Sequence, residues 1–276
     1  MSETPTDRYT HGHHASVVDQ HRRRTAEEAA AFLLPHLEPA MSILDVGCGP
    51  GSITIGLAQR VPNGHVTGID VAEDVLVQAR QLAADSGVTN ASFEPGDVYA
   101  LTYEDDSFDV AYAHQVLQHL TDPVRALREL RRVVKPGGLV AIRDVDYGTM
   151  IHAPDTAELD RWLELYHAVA SRNDAEANAG RYLNGWLKEA GFEDLEMSAS
   201  TWVFHQPRQL LNWGDSWAER TTRSAFAEQA VEYGLATTDE LNEIAEGWRR
   251  WARTPDAFFS FLHVEGLARV PAATSV

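Results

Sequence analysis

Ile43-Leu44-Asp45-Val46-Gly47-Cys48-Gly49-Pro50-Gly51-Ser52 is the stretch that decides how this chain folds. An apolar strand ends in an acid, and glycines then alternate at 47, 49 and 51 before a run of small and apolar residues, Ser52 to Arg60, that reads as a helix. Glycine reaches backbone conformations closed to other residues and lets the main chain approach a ligand with no Cβ in the way. A dinucleotide turn wants Gly-x-Gly-x-x-Gly with the pyrophosphate on the helix N-terminus. Here the third glycine comes one residue early and an acid precedes the first. A carboxylate at that point repels pyrophosphate but suits a ligand that carries an ammonium and a sulfonium.

Two further strands end the same way. Val66-Thr67-Gly68-Ile69-Asp70 places an acid nineteen residues beyond Gly51, where a ribose diol would be gripped by carboxylate hydrogen bonds. Phe93-Glu94-Pro95-Gly96-Asp97-Val98 ends in an acid and an apolar residue, a pair that fits an adenine amine and ring. Singly, Asp70 and Asp97 read as helix N-caps. Three successive strands ending in acids instead line up carboxylates along the edge of a parallel sheet where such folds bind ligands.

With these motifs the chain resembles the class I S-adenosylmethionine-dependent methyltransferases, in their small-molecule branch. The resemblance runs from Leu44 to Ile142 and includes Asp109-Val110-Ala111-Tyr112-Ala113-His114, Leu117-Gln118-His119-Leu120 and Arg132-Val133-Val134-Lys135-Pro136-Gly137-Gly138. It implies an α/β fold, a doubly wound Rossmann-like sheet of seven strands with the last one antiparallel, and S-adenosylmethionine as cofactor. The implied cofactor contacts are Tyr9, Arg24, Asp45, Gly47, Gly49, Asp70, Val71, Asp97, Val98 and His114. His114 is also the first candidate for a general base, since that position faces the methyl group in the family and an imidazole titrates near neutrality. Asp144, Asp146 and Tyr147, past the fifth strand, are rivals on the same rim. The Asn/Asp-Pro-Pro-Tyr motif of amino-methylating DNA enzymes is replaced by His114-Gln115-Val116-Leu117.

Composition agrees with a small-molecule enzyme. The 276 residues carry a net charge of −18, which opposes a nucleic-acid or anionic-membrane partner because phosphate binding runs on Lys and Arg. Cys48 is the only cysteine, so a disulfide within the chain is excluded and a reducing, cytoplasmic setting is expected. No signal-peptide or membrane-spanning pattern is read. The oligomeric expectation is a monomer or a homodimer.

Period-two and helical patterns alternate along the chain. Strands are expected near 42–46, 65–70, 91–95, 108–113, 138–143 and 193–200, and at Phe258 to Gly266. Helices are expected over 15–35, 52–61, 72–86, 122–134, 156–172 and 179–190. The organisation that follows is a cofactor-capping helix segment over 1–40, a cofactor-binding core over 41–200, a helical lid insert over 201–256 and a final strand within 257–276. The insert carries Trp202, His205, Trp213, Trp217, Tyr233, Trp248 and Trp251. Aromatics at helical spacing read mostly as core, and so long a connection inside a compact domain reads as a lid over an apolar or aromatic acceptor. His11, His13, His14 and His21 are read as a solvated start with no metal bound. A non-methylating reaction on the same cofactor (decarboxylation, hydroxylation or cyclisation) is the alternative function.

Overall fold

The computed structural model describes residues 7–10 and 21–272, to which all structural statements refer. Seven strands form one sheet in the order β3-β2-β1-β4-β5-β7-β6: β1 Ser42–Val46, β2 His65–Asp70, β3 Ala91–Pro95, β4 Phe108–His114, β5 Val134–Ala153, β6 Asp194–Phe204 and β7 Phe258–Arg269. Strands β1 to β5 pair in parallel, and β7 runs antiparallel between β5 and β6. The central strands are near-continuous apolar runs because helices cover both their faces.

The helices are α1 Ala26–Ala29, α2 Ser52–Arg60, α3 Glu73–Asp85, α4 Pro123–Val133, α5 Ala157–Arg172, α6 Ala179–Glu189, α7 Pro207–Arg223, α8 Ala225–Glu232 and α9 Thr238–Trp251. On one sheet face, Ala26, Ala29 and Leu33 pack with α2 against Ile43, Val110 and Tyr112. On the other, α4 and α6 bury Leu127, Leu130, Leu183 and Leu187 against Ile142 and Ala268. Asp122 caps α4, its carboxylate accepting from the Arg125 N–H at 2.9 Å, with Pro123 at the first helical position.

Two expectations need correction. The helix over 15–35 is not continuous where it is described. Residues 22–25 are turn and extended, α1 spans only Ala26–Ala29, and a 3-10 turn at Leu34–His36 follows. Thr25, with φ −118° and ψ 159°, starts a new helix by accepting the Glu28 N–H, and the break frees Arg24 to cross toward β4. Residues 11–20, with His11, His13 and His14, lie outside the described residues. The fifth strand, expected over 138–143, runs from Val134 to Ala153. Asp144 and Asp146 read as a loop in sequence, but they pair with Val264 and Leu262 of β7.

That extension is the floor of the helical insert. Trp162 and Tyr166 of α5, Trp213 and Trp217 of α7, and Trp248 and Trp251 of α9 are all buried, packed with Phe259 and Phe261 of β7. Edge contacts such as Trp162–Trp217 (4.4 Å) and Trp162–Trp248 (5.4 Å) tie the three helices together.

Candidate active site

The carboxyl edge of β1, β2 and β3 collects the acids the sequence singled out. Gly47, Gly49 and Gly51 have φ of +67°, +52° and +80°. A Cβ on Gly47 would lie 2.5 Å from Val116, and one on Gly51 2.9 Å from Ala79, so these two glycines are demanded by packing. Gly49 instead opens on space, its nearest neighbour being His21 Nδ1 at 3.9 Å. Asp70 holds the turn from below, Oδ2 accepting the Gly49 N–H and Oδ1 the Ala72 N–H, both at 3.0 Å. Asp45 is buried and accepts the Thr54 hydroxyl at 2.6 Å; burial, with Asp70 nearby, pushes its carboxyl up to about 7. Asp97 accepts the Tyr99 N–H at 2.9 Å. Val98 is turned into the core, whereas Val71 is 76% exposed.

Beside this edge, one face of the sheet carries a polar strip across four strands. Register places His114 opposite Arg143, Arg143 opposite Glu265, and Glu265 opposite Ser198. Arg143 is buried, with Nε 3.2 Å from Glu265 and Nη2 3.0 Å from Ser200, and its Nη1 reaches 3.5 Å from His114 Nδ1. A guanidinium only donates, so the His114 proton sits on Nε2, which has no partner among the described residues. Gln115 follows with φ +56°, its N–H donating to the Arg143 carbonyl at 2.8 Å. Its Oε1 accepts from Arg24 at 2.6 Å, and its Nε2 therefore donates to His263 Nε2 at 2.6 Å. His263 thus carries its proton on Nδ1, also without a partner among the described residues. Burial and the charges of Arg24 and Arg143 hold both imidazoles well below the usual histidine range. A cavity of about 620 Å3 opens on this face, with Arg24, Arg143, Trp202, Phe204 and Trp213 among its walls.

Residues 37–194 match the family model described as a methyltransferase domain. The chain is 33% identical to an uncharacterized methyltransferase of Schizosaccharomyces pombe, over 90% of this chain and 91% of that one. It is 31% identical to the "probable methyltransferase" ltbC of Aspergillus luteorubrus, over 95% and 97%. The chain belongs to the S-adenosylmethionine-dependent methyltransferases. Among solved structures, the [4+2]-cyclase SpnF matches with a TM-score of 0.54 and 26% identity, covering 93% of this chain and 80% of that one.

The cofactor of this methyltransferase is S-adenosylmethionine, and the edge suits it: a glycine turn open at Gly49, carboxylates at two strand ends and an exposed Val71 beside them. The three residues expected to be catalytic are not brought together. His114 lies on the polar face. Asp146 points to the α6 side, where Arg181 grips both its oxygens at 2.6 Å. Tyr147 lies in the aromatic core beneath the helical insert, 4.3 Å from the Tyr166 ring. Asp144, also off the polar face, accepts the Gln118 and Val145 N–H groups, and burial pushes it up to about 7. Tyr9 sets its ring edge against His119 at 4.6 Å. Sequence reasoning missed Gln115, Arg143, His263 and Glu265. The available signal was polar residues at inward positions of apolar strands, as in Leu139-Val140-Ala141-Ile142-Arg143. Among the described residues no group of His, Cys, Asp and Glu is placed to hold a metal ion, and no helix is long and apolar enough to cross a membrane.

Proposed function

We propose that this methyltransferase methylates an oxygen or carbon of a small apolar or aromatic acceptor. The observation that carries the reading is the cavity of about 620 Å3, which runs from Arg24 and Trp202 beside the β4 edge to Phe204 and Trp213 under the lid. Its volume and mixed aromatic and polar lining are those of a small-molecule site. Asp70 would bind the ribose, Asp97 the adenine amine and Val71 the adenine face; Asp45 and the Gly47–Gly49 turn would hold the amino-acid end. Val98 supports that pocket from the core, and Tyr9 closes it from the N-terminal side.

The bound cofactor supplies an activated methyl: the acceptor's electron pair forms the new bond to carbon, the carbon–sulfur pair passes to sulfur, and any acceptor proton leaves separately. The protein's part is alignment and exclusion of water. Of the two roles open to His114, positioning is favoured over general base, because its Nε2 already carries a proton, its Nδ1 faces Arg143, and burial with the neighbouring arginines disfavours the imidazolium that proton abstraction would form. Asp146 and Tyr147, engaged by Arg181 and Tyr166, have weaker support as bases. A second reading, cyclisation or another non-methylating reaction on the same cofactor, draws support from the likeness to SpnF. Incubation with methyl-labelled S-adenosylmethionine and a panel of phenols, quinones and amines tests both. Labelled product supports methylation, cofactor-dependent product without label supports the second reading, and cofactor binding without any product sinks both.

A further inference from the structure

Resting on the cavity being the acceptor site, we infer that the acceptor is a planar conjugated acid bound as its anion, with its charged end on Arg24 and its ring body along Phe204 and Trp213. The chain as a whole carries −18, yet the charged residues lining this cavity are Arg23, Arg24 and Arg143 against Glu28 alone. Arg143 is already balanced by Glu265 behind the wall. Arg24 is not balanced by any described residue. Among the described residues no carboxylate lies within ion-pair distance of it; its guanidinium meets the neutral Gln115 amide and the Trp202 ring, 5.4 Å from the ring centre. A guanidinium offers five N–H donors, and desolvating one without an anion is costly. Burial accordingly lowers Arg24 to about 10, the direction expected of a cation short of a counter-charge.

Two further observations set the shape and polarity of the partner. Phe204, stacked on the buried Trp213 at 4.4 Å and 18°, offers the cavity the aromatic surface that a planar body would lie against. Close to Arg24, the buried His114 and His263 each hold an N–H without a partner among the described residues, so the wall behind the cavity adds donors and no charge of its own. An acceptor that enters already ionised needs no protein base, in keeping with neutral imidazoles on this face.

The carboxylate of the cofactor's own amino-acid end has the same chemistry as the inferred anion. Arg24 rests on Trp202 of β6, on the lid side, whereas the open space above Gly49, where a Cβ would stand, is bordered by His21. The acceptor is therefore the better match. Calorimetry on the full chain saturated with S-adenosylhomocysteine, titrated with 2-naphthoate and with 2-naphthamide, separates the sources. The expected result is binding of naphthoate at least tenfold tighter than of the amide. Arg24→Gln should abolish that preference and change the homocysteine-product Kd by less than twofold, and Arg24→Lys should retain part of the preference. Equal affinities, or no naphthoate binding, in the wild-type protein would overturn the inference without recourse to any variant. A tenfold loss of product affinity in Arg24→Gln with the naphthoate preference intact would also overturn it, assigning Arg24 to the cofactor carboxylate. Labelled transfer to acceptors without regard to charge removes the anion subsite and leaves methylation standing. A naphthoate preference without methyl transfer to any acceptor does the reverse.

Discussion

Asp70, proposed above to bind the ribose, has a structural task that its place at a strand end did not reveal. It faces the cofactor edge, and its two oxygens also fasten the Gly49 and Ala72 N–H groups, so the turn and the carboxylate are one unit. Asp70→Ala should therefore weaken S-adenosylmethionine binding by more than one lost ribose contact. The charge-assisted bonds alone account for about 1.5–3 kcal/mol, roughly ten- to a hundredfold in Kd by calorimetry. A variant that binds S-adenosylmethionine like the parent would refute the ribose assignment. His114 gives a sharper test of mechanism. If it positions, His114→Gln should keep the single-turnover rate at saturating acceptor within about tenfold while raising KM, and the wild-type rate should show no inflection near the usual histidine pKa. A drop of a hundredfold or more in the chemical step at unchanged binding would restore the base role. The acids at strand ends were legible because each announces itself within a few residues of one strand. Arg143, Glu265 and His263 were not, because what defines them is cross-strand register between segments more than a hundred residues apart in sequence.

At the scale of elements, the sequence patterns place β1, β2 and β3 and helices α2 to α4 within a residue or so, since apolar runs bounded by glycine turns and caps are local signals. The long β5 was not legible: Asp144 and Asp146 break the apolar run, and only pairing with β7 carries the strand on to Ala153. That extension changes what the insert is. Trp217 of α7 packs on Trp162 of α5 and stacks on Trp248 of α9, so the insert shares one core with a helix outside it. Trp217→Ala should cost about 3–5 kcal/mol of stability in denaturant titration. Native-state hydrogen exchange should show amides of α5, α7 and α9 accelerating together, with β1, β2 and β4 unchanged. Acceleration confined to α7 to α9 would mean that the insert opens as a separate lid.

Taken as a whole, the molecule buries acids and histidines whose proton linkages oppose one another. His114 and His263 stay neutral when folded and lie well below their unfolded pKa of about 6.5, so the unfolded chain takes up protons first as pH falls and stability declines. Between pH 7.5 and 5.5 that loss is on the order of 1 kcal/mol for each histidine. Asp45 and Asp144 lie at about 7 when folded, above the ordinary carboxyl value, so the folded protein takes up protons first over the same range and stability rises. That gain is about 2 kcal/mol for each carboxyl. His119, which burial lowers to about 3, adds a third loss of the histidine kind; the five groups largely offset one another, and the unliganded protein should show a nearly level stability between pH 5.5 and 7.5. Single substitutions expose the components. Relative to wild type, His263→Gln should gain on the order of 1 kcal/mol as pH falls from 7.5 to 5.5, because it removes a destabilising uptake by the unfolded chain. Asp144→Asn should lose about 2 kcal/mol over the same interval, because it removes a stabilising uptake by the folded one. Guanidinium unfolding of the three proteins at several pH values measures both slopes. Differences from wild type that stay constant with pH would mean that these side chains are not the buried, charge-averse groups their surroundings describe.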